Sequence, residues 1–271
     1  DIAVITERQN AVERLVNDTR LRIDLAELLS SCRDMGKSLS RITLNMGGPH
    51  DLLAIKDTLN TLPKITEIVS MDEVLSGLLP AFDTESLAEL LARAVSESVP
   101  RFLRDGGVIR EGYDEELDRW RSRAENSASW LEEFEESERE RSGIKNLKAG
   151  FNKVFGYYIE IPKNSAGRAP MDYVRKQTLV NAERFVTEEL KKFEREMFAA
   201  EDKIAAIEER IYKELIEEIL KRSADIQSAA KFISALDVLQ SLAEVAEERR
   251  YCRPVIDVSK DFIIKDARHP V

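Results

Sequence analysis

A mainly α-helical fold is predicted by three features of the 271-residue sequence. Helix breakers are scarce, with 11 Gly and 8 Pro. Charged residues make up 34% and aromatic residues only 7%, the composition of long solvated helices. Apolar residues recur at three-to-four spacing along most of the chain, and one central window alternates instead. The expected architecture is a helical core bundle with two long antiparallel lever helices that carry a small β-rich module at the tip.

Residues 1–113 read as the core bundle, incomplete at its N-terminus. Ile2, Ile5, Val12, Leu15 and Val16 form one stripe and Leu21, Leu25, Leu28 and Leu29 a second. Breaks are expected at Gly47-Gly48-Pro49, Pro63, Pro80 and Pro100. Residues 114–142 read as the first lever. Leu117, Trp120, Ala124, Leu131 and Phe134 follow a 3–4 repeat, and Asp114, Glu115 and Glu116 occupy the first turn, where the helix dipole favours them. One helix of that length would measure roughly 40 Å.

Residues 187–222 read as the second lever, roughly 50 Å long. Thr187 is its N-cap, and Leu190, Phe193, Met197, Ala200, Ile204, Ile207 and Ile211 make its stripe. Each stripe needs a partner, so the two levers are expected to pack on each other antiparallel. Residues 223–256 return to the core through Ile226, Ala230, Ile233 and the run from Leu236 to Ala246, and a non-helical tail follows Pro254.

The window between the levers, residues 143–186, reads as strands. Tyr157, Ile159 and Ile161 alternate with Tyr158 and Glu160, and Gly150, Asn152, Gly156 and Gly167 supply turns. Tyr157, Ile159 and Phe155 are expected to form its minimal core, because so small a module needs its large apolar groups inside.

Charge also changes in this window. The chain as a whole has 41 Lys+Arg against 51 Asp+Glu and a net charge of −10. The window holds Lys145, Lys148, Lys153, Lys163, Arg168, Arg175, Lys176 and Arg184 against Glu160, Asp172 and Glu183, a balance of +5 that leaves −15 for the rest. A small cationic module suits an anionic polymer, DNA or RNA. The same charge also suits an acidic protein surface, which would make the chain a helical interaction scaffold.

Other functions find little support. Two cysteines, Cys32 and Cys252, and two histidines, His50 and His269, would all be needed for one zinc site. The cysteines are expected as small buried apolar residues and His50 as a surface residue near a helix start. Gly36-Lys37-Ser38 ends like a phosphate-binding loop, but Ser31 stands where that loop requires Gly, and the pattern around it is helical. The carboxylate pairs of the levers read as solvated helix faces. No catalytic residue, cofactor site or metal site is expected. No membrane span or signal peptide is evident, and a soluble, cytoplasmic chain is expected.

Two strings are specific. Leu147-Lys148-Ala149-Gly150-Phe151-Asn152-Lys153-Val154-Phe155-Gly156-Tyr157-Tyr158-Ile159-Glu160-Ile161 and Tyr173-Val174-Arg175-Lys176-Gln177-Thr178-Leu179-Val180-Asn181-Ala182-Glu183-Arg184-Phe185 closely resemble the clamp segment of the MutS family of DNA mismatch-repair proteins. Arg104 to Ile109 and Gly112 to Asp118 resemble the family's approach to its first lever. Ala235 to Leu239 resemble the return to the core, and Ala267-Arg268-His269-Pro270-Val271 the approach to the ATPase domain, so residues 257–271 read as the start of that connection.

The resemblance implies that residues 143–186 are a clamp touching the backbone of double-stranded DNA without reading sequence, with Lys148, Asn152, Lys153, Arg175, Lys176, Thr178, Asn181 and Arg184 nearest phosphates. It implies a second subunit of the same protein in the full-length form and no membrane partner. ATP and Mg are implied for the full-length protein, a DNA-dependent ATPase. This chain lacks the phosphate loop and is expected to be no enzyme by itself. Phe134-Glu135-Glu136 lies on a lever and is not the family's Phe-x-Glu mismatch wedge.

Overall fold

A computed structural model describes residues 1–152 and 154–265, without the side chains of Ser127 and Ala128. Lys153 and the string Ala267 to Val271 lie outside the described residues. In chain order the elements are α1 (Ile2–Asn17), α2 (Thr19–Ser31), α3 (Met35–Thr43), α4 (Pro49–Met71), α5 (Glu85–Ala94), α6 (Glu115–Glu125), α7 (Ser127–Ser142), β1 (Lys148–Asn152), β2 (Gly156–Pro162), β3 (Val174–Thr178), β4 (Ala182–Val186), α8 (Glu188–Lys221) and α9 (Ser223–Arg249). The chain is mainly helical, with one small antiparallel sheet. It divides into two compact units, Asp1–Glu97 with Leu215–Val271, and Ser98–Glu214.

The first unit is a helical bundle, and its first four helices start at side-chain hydrogen bonds. Asp1, Asp18 and Asp34 accept the N–H groups of Ala3, Leu21 and Lys37, and Asp51 closes the start of α4 by accepting the Gly48 N–H. The central helix α4 buries Leu52, Ile55, Leu59, Leu62, Ile65 and Val69 at three-to-four spacing. Against α1, α2 and α3 lies α9, which buries Ile226, Ala229, Phe232, Ile233, Leu236, Leu239 and Ala243.

The break expected at Pro63 is absent, and α4 runs through it. Proline removes one ladder hydrogen bond and costs about 3 kcal/mol inside a helix. The buried residues on either side, Leu59, Leu62 and Ile65, hold the helix, while Pro63 itself faces solvent. Gly36-Lys37-Ser38 sits inside α3 as ordinary helix.

The bundle also contains a buried cation that no local pattern announces. Lys56 is 2% exposed, and its ammonium donates to the carbonyls of Val95 and Ser96 at 3.3 and 3.1 Å and to Glu97 at 3.4 Å. It satisfies orphan carbonyls at the C-terminal end of α5, the end where the helix dipole favours a cation.

The second unit holds the sheet, with strand order β1-β2-β4-β3 and every pairing antiparallel. One sheet face closes a core of Phe134, Ile144, Leu147, Ile159, Ile161, Tyr173, Phe185, Val186 and Leu190, with Trp130 and Tyr157 packed against it. Phe134 is therefore a core side chain. The alternation of Tyr157, Ile159 and Ile161 with Tyr158 and Glu160 holds, whereas Phe155 is half-exposed beside the β1–β2 turn. Gly150 lies inside β1 rather than in a turn, and Asn152 makes the turn by accepting the N–H groups of Val154 and Phe155. Gly156 completes it with φ of +72°, where any side chain would be strained.

The edge of the sheet at β1 is covered by α7. Glu135 accepts the Ala149 N–H at 2.6 Å, Arg139 donates to the Leu147 carbonyl at 2.8 Å, and the two side chains pair with each other. This arrangement occupies edge groups that would otherwise be open to another strand.

The continuous helix expected over 114–142 is instead two, α6 and α7, with Asn126 between them at φ −68° and ψ −3°. Asn126, Ser127 and Ser129 are poor helix formers, because their short polar side chains compete for backbone hydrogen bonds. Thr187 caps α8 as expected, accepting the Leu190 N–H at 3.1 Å.

Contacts between these helices and α8 fall in antiparallel order. Arg210 reaches Asp114 at 3.2 Å, Arg121 pairs with Glu208, and Trp130 stacks on Phe193 with ring centroids 3.7 Å apart. Glu208 is 1% exposed, and its two oxygens also accept the Gly107 N–H at 3.0 Å each. Gly106 and Gly107 both have positive φ, so the turn presenting that N–H suits glycine.

Candidate nucleic-acid interface

Strand register divides the expected contact residues between two ends of the sheet. Because α8 follows β4, the end holding Val186, Val174, Gly156 and Asn152 is the near end. The opposite, far end holds Pro162, Ala182 and Thr178, and Lys148, where β1 starts, lies two residues short of it. Seven residues of β2 separate the ends by roughly 20 Å.

Thr178 and Asn181 lie at the far end, Lys148 lies two residues short of it where β1 starts, and all three are exposed. Asn152 belongs to the near end, Arg175 lies mid-sheet opposite Phe185, and Lys176 stands in the bulge between Arg175 and Gln177, so the expected set cannot converge on one phosphate. Lys176 donates to the Phe155 carbonyl at 2.5 Å. Arg175 Nε lies 2.9 Å from a buried Glu183 oxygen, an ion pair without hydrogen-bond direction. Lys153 is outside the described residues.

Arg184 lies mid-sheet on the face away from the core. Register places Lys148, Glu160, Arg184 and Gln177 in one row across β1, β2, β4 and β3. Arg184 Nε donates to Glu160 at 2.9 Å, Nη1 donates to Gln177 at 3.2 Å, and the guanidinium lies 4.0 Å from the Tyr158 ring centroid. Tyr158 in turn lies across Gly150, where an added Cβ would stand 3.0 Å from the phenol oxygen.

The far end gathers three cations that the motif strings passed over. Lys145 lies in the link from α7 to β1, Lys163 follows β2 and its N–H donates to the Asn181 carbonyl at 3.0 Å, and Arg168 donates to the Gly143 carbonyl at 3.2 Å. Together with Lys148 they make four exposed cations, none with a carboxylate partner among the described residues. Their signal in the sequence was the window charge, which counts them without saying which end they occupy.

Beneath the sheet, Glu138 anchors a cluster of polar groups. Tyr173 donates to the buried Glu138, and Arg141 holds Glu138 at 2.8 Å and Asp172 at 2.9 Å. Burial, with that carboxylate beside it, pushes the Tyr173 phenol up, and the Arg141 guanidinium holds Asp172 below the usual carboxylate range. These pairings brace the module.

A family model described as MutS family domain IV matches residues 112–203, the stretch that contains the sheet. The DNA mismatch repair protein MutS of Methanothrix thermoacetophila is 41% identical over 275 residues, covering 100% of this chain and 32% of that protein. The proteins of the same name from Methanosarcina barkeri and Bacillus thuringiensis are 40% and 41% identical, each covering 98% of this chain and 30% of the relative. The chain belongs to the MutS family. It spans about a third of the length of the curated relatives it matches.

Other sequence-level candidates fare differently in this MutS-family chain. His50 is exposed on the first turn of α4. Cys32 is half-buried, and burial pushes its thiol up to about 11, so it is a poor nucleophile at neutral pH. Cys252 is exposed, contrary to the expectation that both cysteines are buried, because it follows the last turn of α9 in the tail. Among the described residues no cluster of His, Cys, Asp and Glu could hold a metal ion, and no helix is long and apolar enough to cross a membrane.

Proposed function

We propose that this chain is the clamp and lever portion of a DNA mismatch-repair protein. The sheet module grips the backbone of duplex DNA, and α6, α7 and α8 are the levers that connect the grip to the ATPase of the full-length protein. The observation that carries the reading is the far-end cluster of Lys145, Lys148, Lys163 and Arg168, four exposed cations without acidic partners among the described residues. Thr178 and Asn181 beside them add short polar groups of the kind that bond phosphate oxygens. Lys148, Thr178 and Asn181 are the expected direct contacts, with Arg184 on the adjoining face. Asn152 and the Lys176 ammonium serve the near end and Arg175 the middle of the sheet, and Lys153 is a further proposed contact. A second subunit closes the grip in the full-length protein, where ATP and Mg act outside this chain. A packed helix pair transmits a tilt at one end as a displacement at the other.

The test is a salt titration of a fluorescent 30-base-pair duplex with the 271-residue chain. Neutralising three or four phosphates gives a slope of log K against log salt of about −3, with Kd of about 10⁻⁴ to 10⁻⁶ M at physiological salt. Backbone contact carries no sequence information, so mismatched and matched duplexes should bind alike. Absence of binding at 20–50 mM salt overturns the reading, where the expected affinity is greatest (roughly 10⁻⁶ M or tighter).

A further inference from the structure

Glu160 is the one carboxylate on the outer face of the four strands, since the other strand carboxylate, Glu183, is buried beside Arg175. It stands between two cations in the row that crosses the sheet, Lys148 on β1 and Arg184 on β4. Its oxygen takes the Arg184 Nε at 2.9 Å, with the arginine side chain 17% and the glutamate 32% exposed. A phosphate approaching this face therefore meets one guanidinium already paired and one negative charge.

Geometry alone does not require that charge. Gln177 holds the same guanidinium from the other flank at 3.2 Å, and the guanidinium lies over the Tyr158 ring at 4.0 Å. Resting on the backbone-grip reading above, we infer that Glu160 sets the strength of the grip by withholding Arg184 from phosphate. The consequence is a contact that stays weak and quick to release, which suits a module that holds DNA without reading its sequence.

Glu160→Gln keeps an oxygen that can accept from Arg184 and removes only the charge. In the duplex titration this variant should bind at least about threefold tighter at 50 mM salt. One additional phosphate contact steepens the slope by about 0.9, so the gain should shrink about 3.5-fold between 50 and 200 mM salt. Arg184→Gln added to Glu160→Gln should abolish the gain. Gln177→Glu, which places a second carboxylate on Arg184, should weaken binding about threefold in the same electrostatic sense.

Unchanged or weaker binding by Glu160→Gln with an unchanged melting temperature overturns the inference and assigns Glu160 a purely positioning role. If Glu160→Gln fails to fold, an unchanged affinity for Gln177→Glu overturns it instead. Failure of the unmodified chain to bind the duplex overturns the grip itself, a distinguishable result.

Discussion

Replacing Glu208 with alanine is expected to destabilise the unit Ser98–Glu214 by roughly 3 to 5 kcal/mol, the usual cost of removing one partner from a buried ion pair. Total stabilities are only about 5 to 15 kcal/mol, so this is the largest stability effect expected in the chain. The carboxylate is 1% exposed and serves two donors: the Gly107 N–H bonded to both oxygens, and the Arg121 guanidinium. Without it, a guanidinium whose side chain is 20% exposed keeps only the Ile109 carbonyl at 2.9 Å and Asp118 at 3.8 Å. The Gly106-Gly107 turn, with φ of +73° and +87°, also loses the acceptor that pins it. Urea denaturation followed by circular dichroism measures the loss. Glu208→Leu combined with Arg121→Leu should recover much of it, because a buried pair exchanged for apolar residues is often neutral. A cost below about 1 kcal/mol, the range of exposed pairs, would show that the pair is not buried in solution.

The second large effect concerns binding. Lys148→Glu with Lys163→Glu reverses two unpaired cations at the far end and should flatten the salt slope from about −3 to about −1, since each phosphate contact contributes about 0.9. At 50 mM salt that corresponds to a loss of about a hundredfold or more. Lys176→Glu, which removes an ammonium held at the near end on the Phe155 carbonyl, should change affinity by no more than about threefold. Equal effects at the two ends would contradict the assignment of the contact to the far end.

Local pattern made a good part of this chain legible. The Tyr157-Ile159-Ile161 alternation is visible because a strand with one face on a core must repeat every second residue, and the Thr187 cap because a helix start needs a side-chain acceptor. Pro63 misleads because packing around Leu59, Leu62 and Ile65 outweighs a local penalty. Asn126 misleads in the opposite direction, since an apolar repeat continues on either side of a place where the backbone ends one helix and begins another. Glu208 with Arg121 and Lys56 with the carbonyls of Val95 and Ser96 join residues 87 and about 40 positions apart, so nothing local marks them.

The candidate site divides along the same line. Its net charge of +5 is countable in the sequence, but strand order decides which cations share an end. That order groups Lys145, Lys148, Lys163 and Arg168, leaves Arg175 mid-sheet opposite Phe185 with the Lys176 ammonium turned to the Phe155 carbonyl, and places Glu160 against Arg184.

Lysine acylation mapped by mass spectrometry, with and without a saturating 30-base-pair duplex at 50 mM salt, tests the backbone grip most directly. The expected result is protection of Lys145, Lys148 and Lys163, with Lys176 and the lysines of α8 and α9 labelled as before. Protection confined to the helices, or none anywhere, would contradict a DNA grip at the far end of the sheet.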